Sequence, residues 1–150
     1  MQKLRIIVAG AGGRMGAANI AAVAGDDRVE LVGALDRAGS SAIGKDVGAL
    51  AGLAPLGVPV SEDLAPLLER ADAIIDFTAP AASVALAERA ATKGLVHIIG
   101  TTGCSEADDA EIAAAGAAGA RIVKSGNFSP GMVALTVLVE RAARALADYD

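Results

Sequence analysis

The sequence predicts an α/β fold: a doubly wound, mostly parallel sheet flanked by helices. Three observations carry this expectation. Short apolar segments alternate with alanine-rich helical ones, the first apolar segment breaks into a glycine-dense turn, and an acid closes the second. Strands alternating with helices form βαβ units, and their right-handed crossovers leave the strands pointing the same way.

Leu4-Arg5-Ile6-Ile7-Val8-Ala9 reads as the first strand, feeding directly into Gly10-Ala11-Gly12-Gly13-Arg14-Met15-Gly16. Gly10 permits a tight turn, Gly12 or Gly13 removes the Cβ that would hold phosphates off the backbone, and Gly16 lets the next helix lie close to the sheet. Gly10, Gly13 and Gly16 recur in three-residue steps; counted from Gly12, Met15 stands where a glycine is commonest. Unpaired N–H groups at the helix start face an anion. A ligand-free surface loop is the alternative reading, and the acid about twenty positions on weighs against it.

A short alanine-rich helix follows over residues 17–24 and stops at Gly25-Asp26-Asp27. The second strand, residues 29–35, ends in Asp36-Arg37. Asp36 can accept hydrogen bonds from both adenosine ribose hydroxyls, whereas Arg37 can meet a 2′-phosphate through its fork of donors. Holding both makes NADH and NADPH each a candidate cofactor; a solvated strand-end charge is the other reading of Arg37. Residues 38–60, with Pro55 and Pro59, read as an irregular excursion.

Ser61-Glu62-Asp63 resembles a helix cap with an acidic first turn, and Pro66 moves the helix start later by one register. Residues 73–77 form the third strand, and Pro80 opens a helix to about Lys93. Residues 95–99 form the fourth, followed by Gly100-Thr101-Thr102-Gly103. Ser105 with Asp108 reads as a capping box for a helix to Ala118. Residues 121–124 make the fifth strand, before Ser125-Gly126-Asn127-Phe128-Ser129-Pro130-Gly131 and an apolar helix over about 132–147, expected to face the core.

A length of 150 residues and a hydrophobic content of 53% suffice for one packed core, and with aromatics at 2% that core must be aliphatic. A net charge of −5 without a basic block argues against nucleic acid as a partner. Cys104 is the sole cysteine, so an intrachain disulfide and a thiolate cluster are excluded. It reads as a passive loop residue, and His97, the one histidine, as a hydrogen-bonded structural residue inside a strand. No metal site, targeting peptide or membrane span is expected, and a cytoplasmic protein is the default.

In a parallel sheet the functional residues collect at the carboxyl ends of the strands. Residues 10–16, Asp36-Arg37, Phe77-Thr78, residues 100–103 and residues 125–128 all fall there, an extended cleft that suits a dinucleotide better than a small anion. The fold expected is therefore Rossmann-like.

Gly10-Ala11-Gly12-Gly13-Arg14-Met15-Gly16, Asp36-Arg37, Asp76-Phe77-Thr78, Gly100-Thr101-Thr102-Gly103 and Asn127-Phe128-Ser129 together resemble the bacterial 4-hydroxy-tetrahydrodipicolinate reductase (dihydrodipicolinate reductase) family over essentially the whole chain. The resemblance implies an oxidoreductase of lysine and diaminopimelate biosynthesis that uses NADH or NADPH to reduce a small cyclic dicarboxylate. It places the pyrophosphate on Gly10, Ala11, Gly12, Gly13, Arg14 and Met15, and the ribose at Asp36 and Arg37. Gly100, Thr101 and Thr102 would border the nicotinamide, and Ser125, Gly126, Asn127 and Phe128 would complete that wall. Ser125 and Gly126 stand where the family often has alanines, and both are small.

Family members are longer. The resemblance thus divides the chain into a dinucleotide-binding domain, 1–129, and a linking helix, 130–150, toward a substrate domain that this chain lacks. It implies a homotetramer at full length and no catalytic residue within this chain, whose isolated form would be inactive. Another NAD(P)-dependent oxidoreductase domain, or a non-catalytic module sensing dinucleotide or coenzyme A, are the competing readings.

Overall fold

A computed structural model describes residues 2–147 and 149, with strands and helices alternating throughout. In chain order they are β1 (Leu4–Ala9), α1 (Arg14–Ala24), β2 (Val29–Leu35), α2 (Val47–Leu50), β3 (Val60–Ser61), α3 (Ala65–Leu68), β4 (Ala73–Asp76), α4 (Pro80–Ala91), β5 (Val96–Ile99), α5 (Glu106–Ala117), β6 (Arg121–Lys124) and α6 (Pro130–Ala145). The strands form one sheet in the order β3-β2-β1-β4-β5-β6, and its strand pairings are all parallel. After β3 the chain crosses back to the far side of β1, so the switch point lies between β1 and β4.

β1 explains the layering. Its alternate side chains belong to two cores, as a strand covered on both faces requires. Ile6 and Val8 pack with Ile20 and Val23 of α1 and Val47 of α2; Ile7 and Ala9 pack with Leu67, Leu68, Leu86 and Ala90 on the other face. A third cluster joins Val84 and Ala87 of α4 to Ile99, Ile112 and Ala115. Alanines at these contacts let helices approach closely, which is how a chain so poor in aromatics fills its interior.

Several expected elements differ from the structure. α1 begins at Arg14 rather than 17, so the helix rises straight out of the glycine turn. The excursion 38–60 holds a helical turn and a strand, and Asp46 organises it. Its carboxylate accepts the N–H groups of Gly48 (2.8 Å), Leu56 (3.0 Å) and Gly57 (2.7 Å). Elements this short carry no periodicity to read. Ser61 ends β3 instead of capping a helix; α3 is a single turn behind Leu64, which makes no side-chain cap bond.

Phe77 and Leu95 lie just outside β4 and β5, and α4 ends at Ala91. The Ser105–Asp108 capping box is present, with Asp108 N–H donating to Ser105 Oγ at 3.2 Å and Ser105 N–H to Asp108 Oδ2 at 2.7 Å. α6 is the largest correction. It starts on Pro130 behind a Ser129 cap, and none of its residues is buried: Leu135 and Leu138 are 52% and 62% exposed. It follows the edge strand β6 in the chain and packs into none of the three core clusters.

Candidate functional site

A cavity of about 740 Å³ opens at the switch point. One wall is the turn after β1, with Gly10, Gly12 and Gly13; the other is Phe77, Thr78 and Ala79 after β4. Asp36 and Arg37 close it beyond β2. Two glycines make the turn possible. Gly10 has φ +76°, and a Cβ on Gly16 would stand 2.1 Å from the Gly10 carbonyl oxygen, so only glycine lets α1 start there.

The donor inventory of the turn sharpens the expectation. Gly10 and Ala11 N–H donate to the Leu35 carbonyl at 2.9 and 3.1 Å, and Gly13 N–H donates to Gly10 at 3.0 Å. Gly12 N–H donates to Asp36 Oδ2 at 2.7 Å. The N–H groups of Arg14, Met15 and Gly16 have no acceptor among the described residues, and the helix has no side-chain cap. The donors left without a partner are therefore those of the first helical turn. The Ala11 methyl is buried in the core, while the Arg14 and Met15 side chains are exposed outside the cavity lining.

Asp36 is fixed from two sides, by Gly12 N–H and by Arg37 N–H, both at 2.7 Å. Its carboxylate thus stands beside the turn, as an acceptor for hydroxyls at the end of the cleft. Three features fit a dinucleotide: the unpaired N–H trio for a pyrophosphate, the Cβ-free approach over Gly12 and Gly13, and Asp36 for a diol. Ser40, Glu62, Leu64 and Arg89 also line the cavity, and sequence reasoning missed them. They come from separate elements, and no local motif marks them.

Gly100, Thr101, Thr102 and residues 125–128 continue the same rim beyond β5 and β6, outside the 740 Å³ cavity. Phe77 bridges the two parts. A Cβ on Gly100 would lie 2.1 Å from its ring, and the Phe128 ring sits on it with centroids 6.1 Å apart. The Thr101 side chain is buried: its hydroxyl accepts from Thr78 N–H (3.0 Å) and Ser83 Oγ (2.8 Å), so only its backbone can face a ligand. Thr102 is exposed. Ser125 and Asn127 tie their own turn, Ser125 Oγ donating to the Asn127 carbonyl at 2.9 Å and Asn127 Oδ1 accepting Ser129 N–H at 2.7 Å.

His97 is buried inside β5 and hydrogen-bonds Asp76, as its place in an apolar run implied. Asp76 enters only through the Asp76-Phe77-Thr78 motif and is given no role, although an acid ending an apolar strand is the signal that marked Asp36. Cys104 packs against the third core cluster.

Residues 4–128 match the family model described as dihydrodipicolinate reductase, N-terminus. The chain belongs to the dihydrodipicolinate reductase family. The motif resemblance therefore holds. Dihydrodipicolinate reductase relatives, curated under the name 4-hydroxy-tetrahydrodipicolinate reductase, include that of Brucella abortus (strain 2308), 49% identical over 145 residues, or 97% of this chain and 54% of the relative. That of Afipia carboxidovorans is 50% identical over 151 residues, 100% of this chain and 55% of the relative.

The chain spans about half the length of the curated relatives it matches. A solved dihydrodipicolinate reductase from Paenisporosarcina sp. TG-14, with dipicolinate bound, has a TM-score of 0.75 at 22% identity, covering 95% of this chain and 54% of that one. GenD2 from gentamicin A biosynthesis, in complex with NAD, scores 0.66 at 23% identity, covering 92% and 39%. These likenesses place a dihydrodipicolinate reductase domain on a Rossmann-like fold.

Proposed function

We propose that the cleft binds NADH or NADPH and that the full-length protein reduces 4-hydroxy-tetrahydrodipicolinate to tetrahydrodipicolinate. The observation that carries this reading is the unpaired N–H trio of Arg14, Met15 and Gly16 at the helix start that follows a glycine turn at the switch point, in a chain of this family. Gly10, Ala11, Gly12, Gly13, Arg14 and Met15 seat the pyrophosphate, chiefly through the first-turn amides and the dipole behind them. Asp36 accepts the ribose hydroxyls, and Arg37 offers its guanidinium to a 2′-phosphate, which makes both cofactors usable.

Gly100, Thr101 and Thr102 border the nicotinamide half, and Ser125, Gly126, Asn127 and Phe128 complete that side. The bound cofactor supplies the hydride. What the chain's own residues do is orientation: amides and Asp36 hold one end, while Phe77, braced by Gly100 and Phe128, walls the other. The proton for the reduced nitrogen and the cations for the substrate carboxylates belong, in this reading, to the remaining half of the family's length. Residues 1–129 form the cofactor domain and 130–150 lead to the substrate domain. The full-length protein is a cytoplasmic homotetramer. Among the described residues no helix is long and apolar enough to cross a membrane.

Titrating the full-length protein with NADH, NADPH and coenzyme A, followed by nicotinamide fluorescence and competition, tests the cleft. Saturable binding of the nicotinamide cofactors alone is expected; coenzyme A binding in their place would favour a non-catalytic module and overturn the proposal. Turnover of the pathway intermediate by full-length protein but not by residues 1–150 is the second expected result. Equal rates would refute the division of labour.

A further inference from the structure

Beneath the rim four polar side chains are buried together: Asp76 at the end of β4, Ser83 in α4, His97 in β5 and Thr101 beyond it. In an aliphatic interior such a cluster is stable only if its groups satisfy one another. Asp76 Oδ1 accepts from Thr78 Oγ1 (2.6 Å), Thr78 N–H (3.0 Å) and Thr101 Oγ1 (3.4 Å), and Oδ2 meets His97 Nε2 at 3.1 Å. With the carboxylate ionised, both its oxygens accept and His97 Nε2 carries the proton, a tautomer assigned from the network. His97 Nδ1 is buried with no partner among the described residues, so Asp76 is the group that holds the ring.

The partners of Asp76 are the cleft itself. Thr78 lines the cavity, and its methyl lies 3.1 Å from where a Gly10 Cβ would stand. Thr101 follows Gly100, which presses on Phe77, and Gly100 N–H donates to the Asp76 carbonyl at 2.8 Å. One carboxylate therefore joins the ends of β4 and β5 and, through Thr78, bears on the turn after β1. His97 is fully buried and does not line the cavity, so any effect it has on a ligand passes through Asp76.

We propose that His97 is a positioning residue for the cofactor cleft: by holding Asp76 Oδ2 it leaves Oδ1 to anchor Thr78 and Thr101, and so sets the floor under the nicotinamide half of the dinucleotide. The inference rests on the cofactor reading of the cleft. Burial pushes the Asp76 carboxyl up, and hydrogen bonds, from His97 first and from the Thr78 hydroxyl among the rest, more than offset it and hold the group below its ordinary value. The ionisable group facing Asp76 is His97; the other partners are hydroxyls and an amide. Without the ring, burial acts on the carboxyl with less opposition, and a proton taken up on Oδ2 leaves Oδ1 a weaker acceptor for Thr78 and Thr101.

The test is the NADH dissociation constant of the full-length protein between pH 5 and 9, for the wild type, His97→Met, His97→Gln and His97→Leu. In His97→Met the constant exceeds the wild-type value by about tenfold or more at the acid end and approaches it at the alkaline end. His97→Gln, which keeps an amide donor for Oδ2, restores the wild-type profile. His97→Leu, which likewise lacks a donor to Oδ2, shows the same acid limb and decides the matter if His97→Met does not fold.

Profiles parallel to the wild type at every pH, or equal behaviour of the Met and Gln variants, overturn the inference while the cofactor reading stands. A wild type that fails to bind NADH overturns both.

Discussion

Asp36, at the end of β2, accepts the Gly12 N–H at 2.7 Å, so the acid and the glycine turn form one unit. Their contact leaves no room for a side chain: a Cβ on Gly12 would lie 2.5 Å from Asp36 Oδ2 and 2.9 Å from Ala42 Cβ. Gly12→Ala must push the acid out of place. The expected outcome is a loss of about tenfold or more in NADH affinity, measured by titration of the full-length protein. Unchanged affinity would show that the turn tolerates the shift.

Replacing the acid itself separates the two cofactors. Asp36→Ala removes the acceptor for the ribose hydroxyls and the negative charge beside Arg37. The ratio of NADH to NADPH affinity should move toward NADPH by about tenfold or more. Paired titrations of both cofactors read this directly, and an unaltered ratio would take Asp36 out of cofactor choice.

Gly100 and Phe77 are predicted to be energetically coupled. A Cβ at Gly100 would stand 2.1 Å from Phe77 Cε1, so Gly100→Ala alone should cost about 1–3 kcal/mol as an overpacked site. Combined with Phe77→Ala, which empties that space, the same substitution should cost much less. Urea unfolding of the single and double variants gives the coupling energy; simple additivity would contradict the contact.

Acid sensitivity is expected from the pair joining β1 to the loop before β4. Arg5 donates to Asp72 through Nη2 (2.7 Å), Nε (3.0 Å) and its backbone N–H (2.9 Å). The side-chain hydrogen bonds first, then the backbone one, hold the Asp72 carboxyl at about 2 against an ordinary 3.8, with desolvation opposing. A group depressed in the folded state stabilises fully above its unfolded value and loses that contribution as pH falls through the folded one. Asp72→Asn should therefore be less stable than the wild type near neutrality and lose less between pH 4 and pH 2. Denaturation midpoints across that window would show the two curves converging.

Much of this molecule is legible residue by residue. The apolar run Leu4 to Ala9, the glycine turn, Asp36 closing an apolar strand, Pro80 opening α4 and the Ser105–Asp108 box are local signals, because backbone conformation and capping depend on neighbours along the chain. Those signals suffice for a parallel sheet with its functional turns on one edge. The single turn α2 and the strand β3 were not legible, since elements of two to four residues have no period; at α3 the helix was legible from Pro66 but its cap and its length of one turn were not.

What the residues determine by themselves is thus the order of elements and the location of the phosphate-seating turn. Only the tertiary structure decides which amides stay unpaired there, because Gly12 spends its N–H on an acid 24 residues away. It alone decides that His97 and Asp76, 21 residues apart, meet in the interior, because parallel register sets β5 beside β4. The same holds for α6: its apolar pattern resembles that of any core helix, yet none of its residues is buried in the structure. Periodicity states that a face is apolar; the arrangement of the other elements determines whether anything covers it.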